Sequence, residues 1–223
     1  MRKFTAFVMF MMLAVTSSAF AQNKVYIEQA GNSNTIDITQ IGSSNRLGNS
    51  GSNSTITGNN NTVTTSQIGN ANEIDYTIIG NNNAVTKIVT GDNNQITTVM
   101  GDNNTTATNS TVTQTITGNS NIISTTITGN LINSTDTVAG NTNTITKNIS
   151  TDNSNSTINI LGDLNTITST MSGASAGGGH QLAMDISGSS NQYTINQTGI
   201  VDTIVNIFTN GSSNSVTINT GSP

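Results

Sequence analysis

The sequence of 223 residues contains no cysteine and no tryptophan, one proline (Pro223) and one histidine (His180), and only 8% of its residues are charged. Without cysteine there is no disulfide framework and no thiol nucleophile, and a single imidazole does not make a zinc cluster. A net charge of −5 runs against a surface built to neutralise phosphates, so nucleic acid is not an expected partner. Aromatic residues at 4% leave little with which to stack bases or sugar rings. Scarce charge and scarce proline also separate the chain from charge-extended disordered tails. What fills the space is Asn (36) and Thr (40), together about a third of the sequence. That bias alone is compatible with a disordered, aggregation-prone tract. Whether the apolar residues are scattered or periodic decides between such a tract and a fold.

The first 21 residues read as an address. Arg2 and Lys3 precede an apolar run from Phe4 to Val15, and Ala19-Phe20-Ala21 supplies a small-residue site. This is the layout of a secretory signal peptide over residues 1–21, with cleavage expected after Ala21 and a mature start at Gln22. The run is short for a bilayer, and no later segment approaches ~18 consecutive apolar residues. Removing the leader takes two of the six basic residues, so the mature chain carries 4 − 11 = −7.

From Gln22 to Pro223 one pattern recurs: Gly-x-x-Asn, at Gly31/Asn34, Gly42/Asn45, Gly58/Asn61, Gly69/Asn72, Gly80/Asn83 and Gly91/Asn94. It continues at Gly101/Asn104, Gly118/Asn121, Gly140/Asn143, Gly162/Asn165, Gly188/Asn191 and Gly211/Asn214. Successive glycines mostly stand eleven residues apart, with degenerate copies at Gly51, Gly129, Asp152, Gly173 and Gly199. Longer steps indicate insertions around Arg46–Ser54 and Thr105–Thr111, and an irregular Gly-rich insertion over 173–187.

Between the turns the apolar residues alternate, as a strand requires and a helix forbids. Two residues after the Asn sits Ile36, Leu47, Val63, Ile74, Val85, Ile96, Ile123, Ile145, Ile167, Tyr193 or Val216. Two residues before the next Gly sits an apolar residue (Ile56, Ile78, Val89, Ile116, Ile127, Val138) or Gln (Gln29, Gln40, Gln67, Gln197). Thr and Ile favour strands, while Gly and Asn tolerate the positive φ of turns. One such unit cannot bury its apolar edge alone, whereas two make a rung and stacked rungs bury a continuous interior. The expected fold is an all-β solenoid over 22–223, with two ~11-residue half-repeats per rung and about nine rungs, roughly 40 Å tall. Like residues would stack in columns, Ile and Val in the interior and Asn and Gln in amide ladders. Lys87 and Lys147 also fall at the inward phase, which a tight interior resists, so either the phase slips there or those rungs are looser.

The segment Val25–Asn45 resembles a curlin repeat, the subunit repeat of bacterial curli amyloid fibres. That family's signature is Gln-x-Gly-x-x-Asn, five residues and the next Gln, with inward apolar residues between. It is matched at Gln29/Gly31/Asn34, Gln40/Gly42/Asn45 and Gln67/Gly69/Asn72. From Gly80 to Gly188 the Gln position holds Ile, Val or Met, a departure that bears on whether the central rungs polymerise as curlin rungs do. The resemblance implies a secreted subunit that self-assembles outside the cell into a fibre for adhesion and biofilm matrix. Its partners would be other copies of itself, a minor nucleator subunit and a dedicated outer-membrane secretion channel. The nine signature residues would then carry the turn geometry and the amide ladders. Ile36, Ile38, Ile74, Ile78, Ile123, Ile127, Ile145 and Ile167 would supply the interior.

Nothing in the sequence points to catalysis, a metal or a cofactor. His180 stands in Gly177-Gly178-Gly179-His180-Gln181 with only Asp185 as a nearby acid, and is read as part of a flexible surface loop. Asp92, Asp102 and Asp163 each follow a Gly and suit turns; the Gly-Gly-x-Gly-x-Asp spacing of calcium-binding β-rolls is absent. No Gly-x-x-x-x-Gly-Lys phosphate loop occurs. Thr55/Thr57, Thr115/Thr117, Thr126/Thr128, Thr144/Thr146 and Thr166/Thr168 flank inward Ile residues and would form outward Thr arrays, the surface of an ice-binding solenoid. The functions in play are therefore a fibre subunit, a monomeric β-helix adhesin or receptor-binding protein, and an ice-binding protein.

Overall fold

The computed structural model describes residues 22–48, 52–102, 105–173 and 179–221. The leader reading and its cleavage site at Ala21 lie outside them. Within them the chain is all β, in twenty strands: β1 (Lys24–Val25), β2 (Ile27–Ala30), β3 (Thr35–Ile41), β4 (Arg46–Leu47), β5 (Ser54–Thr57), β6 (Thr62–Ile68), β7 (Glu73–Asn81), β8 (Ala84–Thr90), β9 (Gln95–Met100), β10 (Ala107–Thr108), β11 (Thr111–Thr117), β12 (Ile122–Ile127), β13 (Asn133–Ala139), β14 (Thr144–Ile149), β15 (Asn155–Leu161), β16 (Thr166–Ser172), β17 (Gln181–Ser187), β18 (Gln192–Thr198), β19 (Ile204–Asn210) and β20 (Ser215–Thr220).

The strands form two sheets that the chain visits alternately. One runs β1-β4-β7-β9-β12-β14-β16-β18-β20, with β5 beside β7, β2 beside β5 and β10 against the end of β7; the other runs β3-β6-β8-β11-β13-β15-β17-β19. Every pairing is parallel, with a step of 22 residues in the regular part (Thr111↔Asn133, Thr144↔Thr166). A parallel pair cannot be closed by a tight hairpin. Here the connection that separates the two strands is the other half of the rung, so the fold is a β-solenoid.

Burial alternates residue by residue, as in β6, where Val63, Thr65 and Gln67 point inward and Thr62, Thr64 and Ser66 outward. Each sheet therefore contributes three inward columns. In the second sheet the outer two are Ile36-Val63-Val85-Val112-Ser134-Ser156-Leu182-Val205 and Gln40-Gln67-Val89-Ile116-Val138-Ile160-Ile186-Thr209. In the first sheet Leu47, Ile74, Ile96, Ile123, Ile145, Ile167 and Tyr193 stack in one column, and Ile56, Ile78, Met100, Ile127, Ile149 and Met171 in another. All of these last thirteen side chains are buried. At about 0.8 kcal/mol per buried CH2, such columns are the main attraction holding rung to rung.

The solenoid has about eight turns rather than nine, with eight strands in the second sheet, because insertions take up chain that full rungs would use. One insertion separates β4 from β5, within the expected Arg46–Ser54 stretch. A second lies between β9 and β10, ahead of Thr105–Thr111 as well as at its start. Ala107 there pairs with Gly80 and Ser110 takes the ladder place of an Asn, so 107–110 is a regular turn with substituted residues. The Gly-rich irregularity is shorter than 173–187: Gln181–Ser187 is a full strand in register with β15 and β19. The phase does not slip at Lys87 or Lys147, both of which are fully buried.

Candidate functional site

The turns repeat one backbone conformation. The glycine takes a positive φ (+121° at Gly69, +130° at Gly118), and the residue two further on is left-handed (Ala71, φ 54°; Ser120, φ 58°). A Cβ on Gly69 would lie 2.1 Å from the carbonyl oxygen of Gly91 in the next rung. Glycine is thus required both by φ and by the close approach of successive turns. Bulkier residues are tolerated at the left-handed place, including Leu131 (φ 56°) and Leu164 (φ 58°).

The Asn that ends each turn builds a ladder. On one corner it runs through Asn23, Asn45, Asn72, Asn94, Asn121, Asn143, Asn165, Asn191 and Asn214. Each Oδ1 accepts the backbone N–H of the next Asn, at 3.0 Å from Asn94 to Asn72 and 3.0 Å from Asn121 to Asn94. From Asn23 to Asn191 each Nδ2 donates to a glycine carbonyl of the next rung, as from Asn121 to Gly140 at 2.8 Å and from Asn143 to Gly162 at 2.8 Å. The opposite corner begins the same way with Asn34, Asn61 and Asn83. It continues through Ser110, whose Oγ accepts the N–H of Ile132, and through Ser154 to His180.

Of the nine signature residues, Asn45 and Asn72 meet in the first ladder and Asn34 in the second, while Gly31, Gly42 and Gly69 hold the positive-φ places. Gln40 and Gln67 are paired in register and bonded, Nε2 to Oε1, at 2.6 Å. Gln67 also donates to the carbonyls of Arg46 (3.1 Å) and Asn72 (3.0 Å). Gln29 lies in the other sheet, opposite Ile56, is exposed, and donates to Gly31 of its own turn. The Gln contacts are therefore a single step beside one Asn ladder that runs from Asn23 to Asn214. Ile74, Ile78, Ile123, Ile127, Ile145 and Ile167 are buried, whereas Ile36 and Ile38, on the first strand of their sheet, are partly buried against the core.

Alternation of polar and apolar residues does not reveal what the two central columns hold. In the second sheet the central column reads Ile38-Thr65-Lys87-Gln114-Asp136-Ile158-Met184-Ile207. In the first it includes Tyr76-Thr98-Thr125-Lys147-Ser169-Ile195-Ile218. The two columns meet across the core. Thr98 Oγ1 donates to Gln114 Oε1 (3.1 Å), and Gln114 Nε2 donates to Thr125 Oγ1 (3.1 Å) and Asp136 Oδ2 (3.1 Å). Lys147 Nζ donates to Asp136 Oδ1 (2.5 Å) and Ser134 Oγ (2.9 Å). Lys87 has a different partner, the main-chain carbonyl of Asp75 at 3.0 Å. That carbonyl lies where the β4–β5 insertion interrupts pairing with β7. Burial pushes the Lys87 ammonium down to about 7, with Asp75 opposing the shift. Burial, and then the Glu73 carboxylate, push Asp75 up.

His180 is not on an exposed loop. It is fully buried and occupies an Asn place in the second corner ladder. Its Nδ1 accepts the backbone N–H of Thr203 at 3.2 Å and its Nε2 faces the Ser172 carbonyl at 3.1 Å, a set of partners that suits the neutral Nε2–H form. Asp92 and Asp163 accept backbone N–H groups from Asn70 and Asn141, each at 2.6 Å, and so act as turn residues. Outward on the second sheet, Thr64, Thr86, Thr113, Thr135 and Thr157 form one unbroken column.

Parallel rungs, a filled interior, and turns joined by side-chain amides define a β-solenoid whose repeating feature is rung-to-rung complementarity. Residues 20–42 match the model of the curlin associated repeat, which supports the resemblance carried by Gln29/Gly31/Asn34 and Gln40. No curated protein and no solved structure matches the chain.

Proposed function

We propose that this chain is a secreted structural subunit that self-assembles into curli-like extracellular fibres serving adhesion and biofilm matrix. The carrying observation is the Asn ladder from Asn23 to Asn214, in which each rung bonds to the next through the same Oδ1 and Nδ2 contacts. A contact of that kind is made equally well to a rung of another copy. Among the described residues no helix covers β1–β3 or β19–β20, each of which has a strand neighbour on one side only. Bare strand edges are templates for pairing, and joining unlike ends is a heterologous, non-closing contact that gives a filament. Export would use the leader at residues 1–21, with a secretion channel and a nucleator subunit as further partners in the manner of curli. The role is structural rather than enzymatic.

The test is to incubate the purified mature chain and record fibre diffraction. A meridional reflection at ~4.7–4.8 Å is expected, and a chain that stays monomeric under all assembly conditions overturns the proposal. The column Thr64–Thr157 favours one second reading, ice binding, which thermal hysteresis of the monomer in solution would support.

A further inference from the structure

Phe208 is the only phenylalanine beyond the leader, and it points outward from β19 with 76% of its surface exposed. The other aromatic side chains of the described residues are half-buried (Tyr26) or buried (Tyr76, Tyr193). A lone exposed ring requires no account, but this one borders a hollow of about 220 Å3 on the outer face of β15, β17 and β19. The hollow opens because the outward Thr column passes beyond Thr157 to Ala183, whose side chain is a single methyl, and then to Asn206. On the same three strands the adjacent outward column reads Asn159, Asp185 and Phe208. Strands ~4.8 Å apart and alternate residues ~6.6 Å apart make this frame roughly 10 by 7 Å, the scale of one sugar ring.

The polar groups around the hollow are unused. Among the described residues no side-chain hydrogen bond engages Asn159, Asp185 or Asn206, all three exposed. A comparable pair on the other sheet, Asn196 and Asn219, is closed by a bond of 2.8 Å. Two free amides that donate and accept, with a carboxylate that accepts from two donors, complement a row of hydroxyls. The aromatic face beside them suits the apolar C–H face of a pyranose ring. Such a face is flattest where the ring substituents are equatorial, as in the gluco configuration. The site has no cation to offer. Of the four basic residues of the mature chain, Lys87 and Lys147 are buried, and Lys24 and Arg46 stand on β1 and β4, at the far end of the other sheet. With Asp185 in the frame, a uronate or phosphate would be repelled.

We propose that Asn159, Ala183, Asp185, Asn206 and Phe208 form a binding site for a neutral, gluco-configured hexopyranose unit of an extracellular polysaccharide. The carboxylate and the two amides hold hydroxyls, Ala183 leaves the room, and Phe208 covers the C–H face. These side chains point away from the direction in which rungs stack, so the site stays open in a polymer and recurs every ~40 Å along it. Repetition of a weak site raises avidity by about 10²–10⁴ without a new contact. The proposal names a ligand for the adhesive role above and rests on the fibre reading only for that repetition.

The test labels the purified mature chain with fluorophenylalanine, which places a single fluorine probe at Phe208. The monomer is titrated with cellohexaose and with chitohexaose, both neutral and gluco-configured, and with a glucuronate oligomer as the anionic control. A saturable shift of the one resonance is expected with at least one neutral oligomer, with a half-point of about 1 mM, and none with the glucuronate. Asp185→Ala should raise the half-point at least tenfold, as for loss of hydrogen bonds to a charged acceptor. Thr117→Ala, exposed on β11 of the same sheet, should leave it unchanged. Both substitutions are at exposed positions, and circular dichroism checks that each variant keeps its β spectrum. No saturable shift with either neutral oligomer, an equal shift with the glucuronate, or an Asp185→Ala response equal to the native one each overturns the proposal. The outcome is separable from that of the fibre assay: fibres from a chain that shows no shift remove the site alone, and a shift in a chain that never forms fibres removes the fibre reading alone.

Discussion

Lys147 and Asp136 are bonded at 2.5 Å, Nζ to Oδ1, with neither side chain exposed to solvent. They sit on consecutive strands, β14 and β13, and face each other across the interior. The carboxylate's other oxygen is held by Gln114 and the ammonium's other bond goes to Ser134. A buried pair is tolerable in this form because both partners are hydrogen-bonded as well as charged.

Removing one partner should therefore cost more than removing both. Asp136→Ala leaves a buried ammonium without its counter-charge and is expected to lower unfolding stability by about 3–5 kcal/mol. Asp136→Ile combined with Lys147→Met should be close to neutral or stabilising. Urea unfolding of the monomer measures both, and a single substitution no worse than the double one contradicts this.

Lys87 makes stability depend on alkaline pH. Its ammonium is near 7 in the folded chain against 10.5 ordinarily, so between those values the unfolded chain binds more protons and stability rises with pH. Below pH 7 and above pH 10.5 the contribution is flat. The slope between them is at most about 1.4 kcal/mol per pH unit. Thermal unfolding of the monomer across this range, with Lys87→Met as reference, should show the rise in the native chain and its loss in the variant. Asp75, Tyr76, Gln114 and Thr98 stay in place in both, so the difference isolates the lysine.

Asn121 stands inside the longer amide ladder. Asn121→Ala removes the acceptor of the Asn143 N–H and the donor to the Gly140 carbonyl. Each buried group left unpaired costs about 1–3 kcal/mol, so a clear fall in the urea midpoint is expected. Asn219→Ala removes an exposed amide contact to Asn196 and should shift the midpoint little.

The turns offer opposite outcomes at two places. Gly69→Ala forces a Cβ to 2.1 Å from the Gly91 oxygen at φ +121°, and should cost at least about 1–3 kcal/mol from conformation alone. Leu164 is left-handed at φ 58° and exposed, a conformation that penalises L-residues by about 1–2 kcal/mol. Leu164→Asn should recover part of that and raise the melting temperature. Calorimetry of the two variants gives the signs directly.

The rungs, their alternation and the turn positions are legible along the chain because each is local. Glycine is required where φ is positive, and Val63, Ile74 or Ile123 two residues beyond the Asn repeats an inward phase. Substituted turns are less legible: Ala107–Ser110 and His180 keep the geometry without the signature, because neighbouring rungs impose it. Gln29, Gln40 and Gln67 share a signature, yet only Gln40 and Gln67 meet. Spacing states which phase a residue has but not which sheet it belongs to once insertions shift the count.

Composition and the Gly-x-x-Asn grid were sufficient to determine that the chain builds stacked β rungs, excludes disulfide chemistry and lines one corner with amides throughout. Those outcomes follow from backbone conformation and residue-by-residue alternation. Only the tertiary structure decided that Lys87 and Lys147 lie inside without a phase slip, that Asp136 and Ser134 receive Lys147, and that His180 is a ladder member rather than a loop residue. Each of these depends on which side chain closes the rung from the opposite sheet. That neighbour is set when the sheets come into register, not by any spacing along the chain.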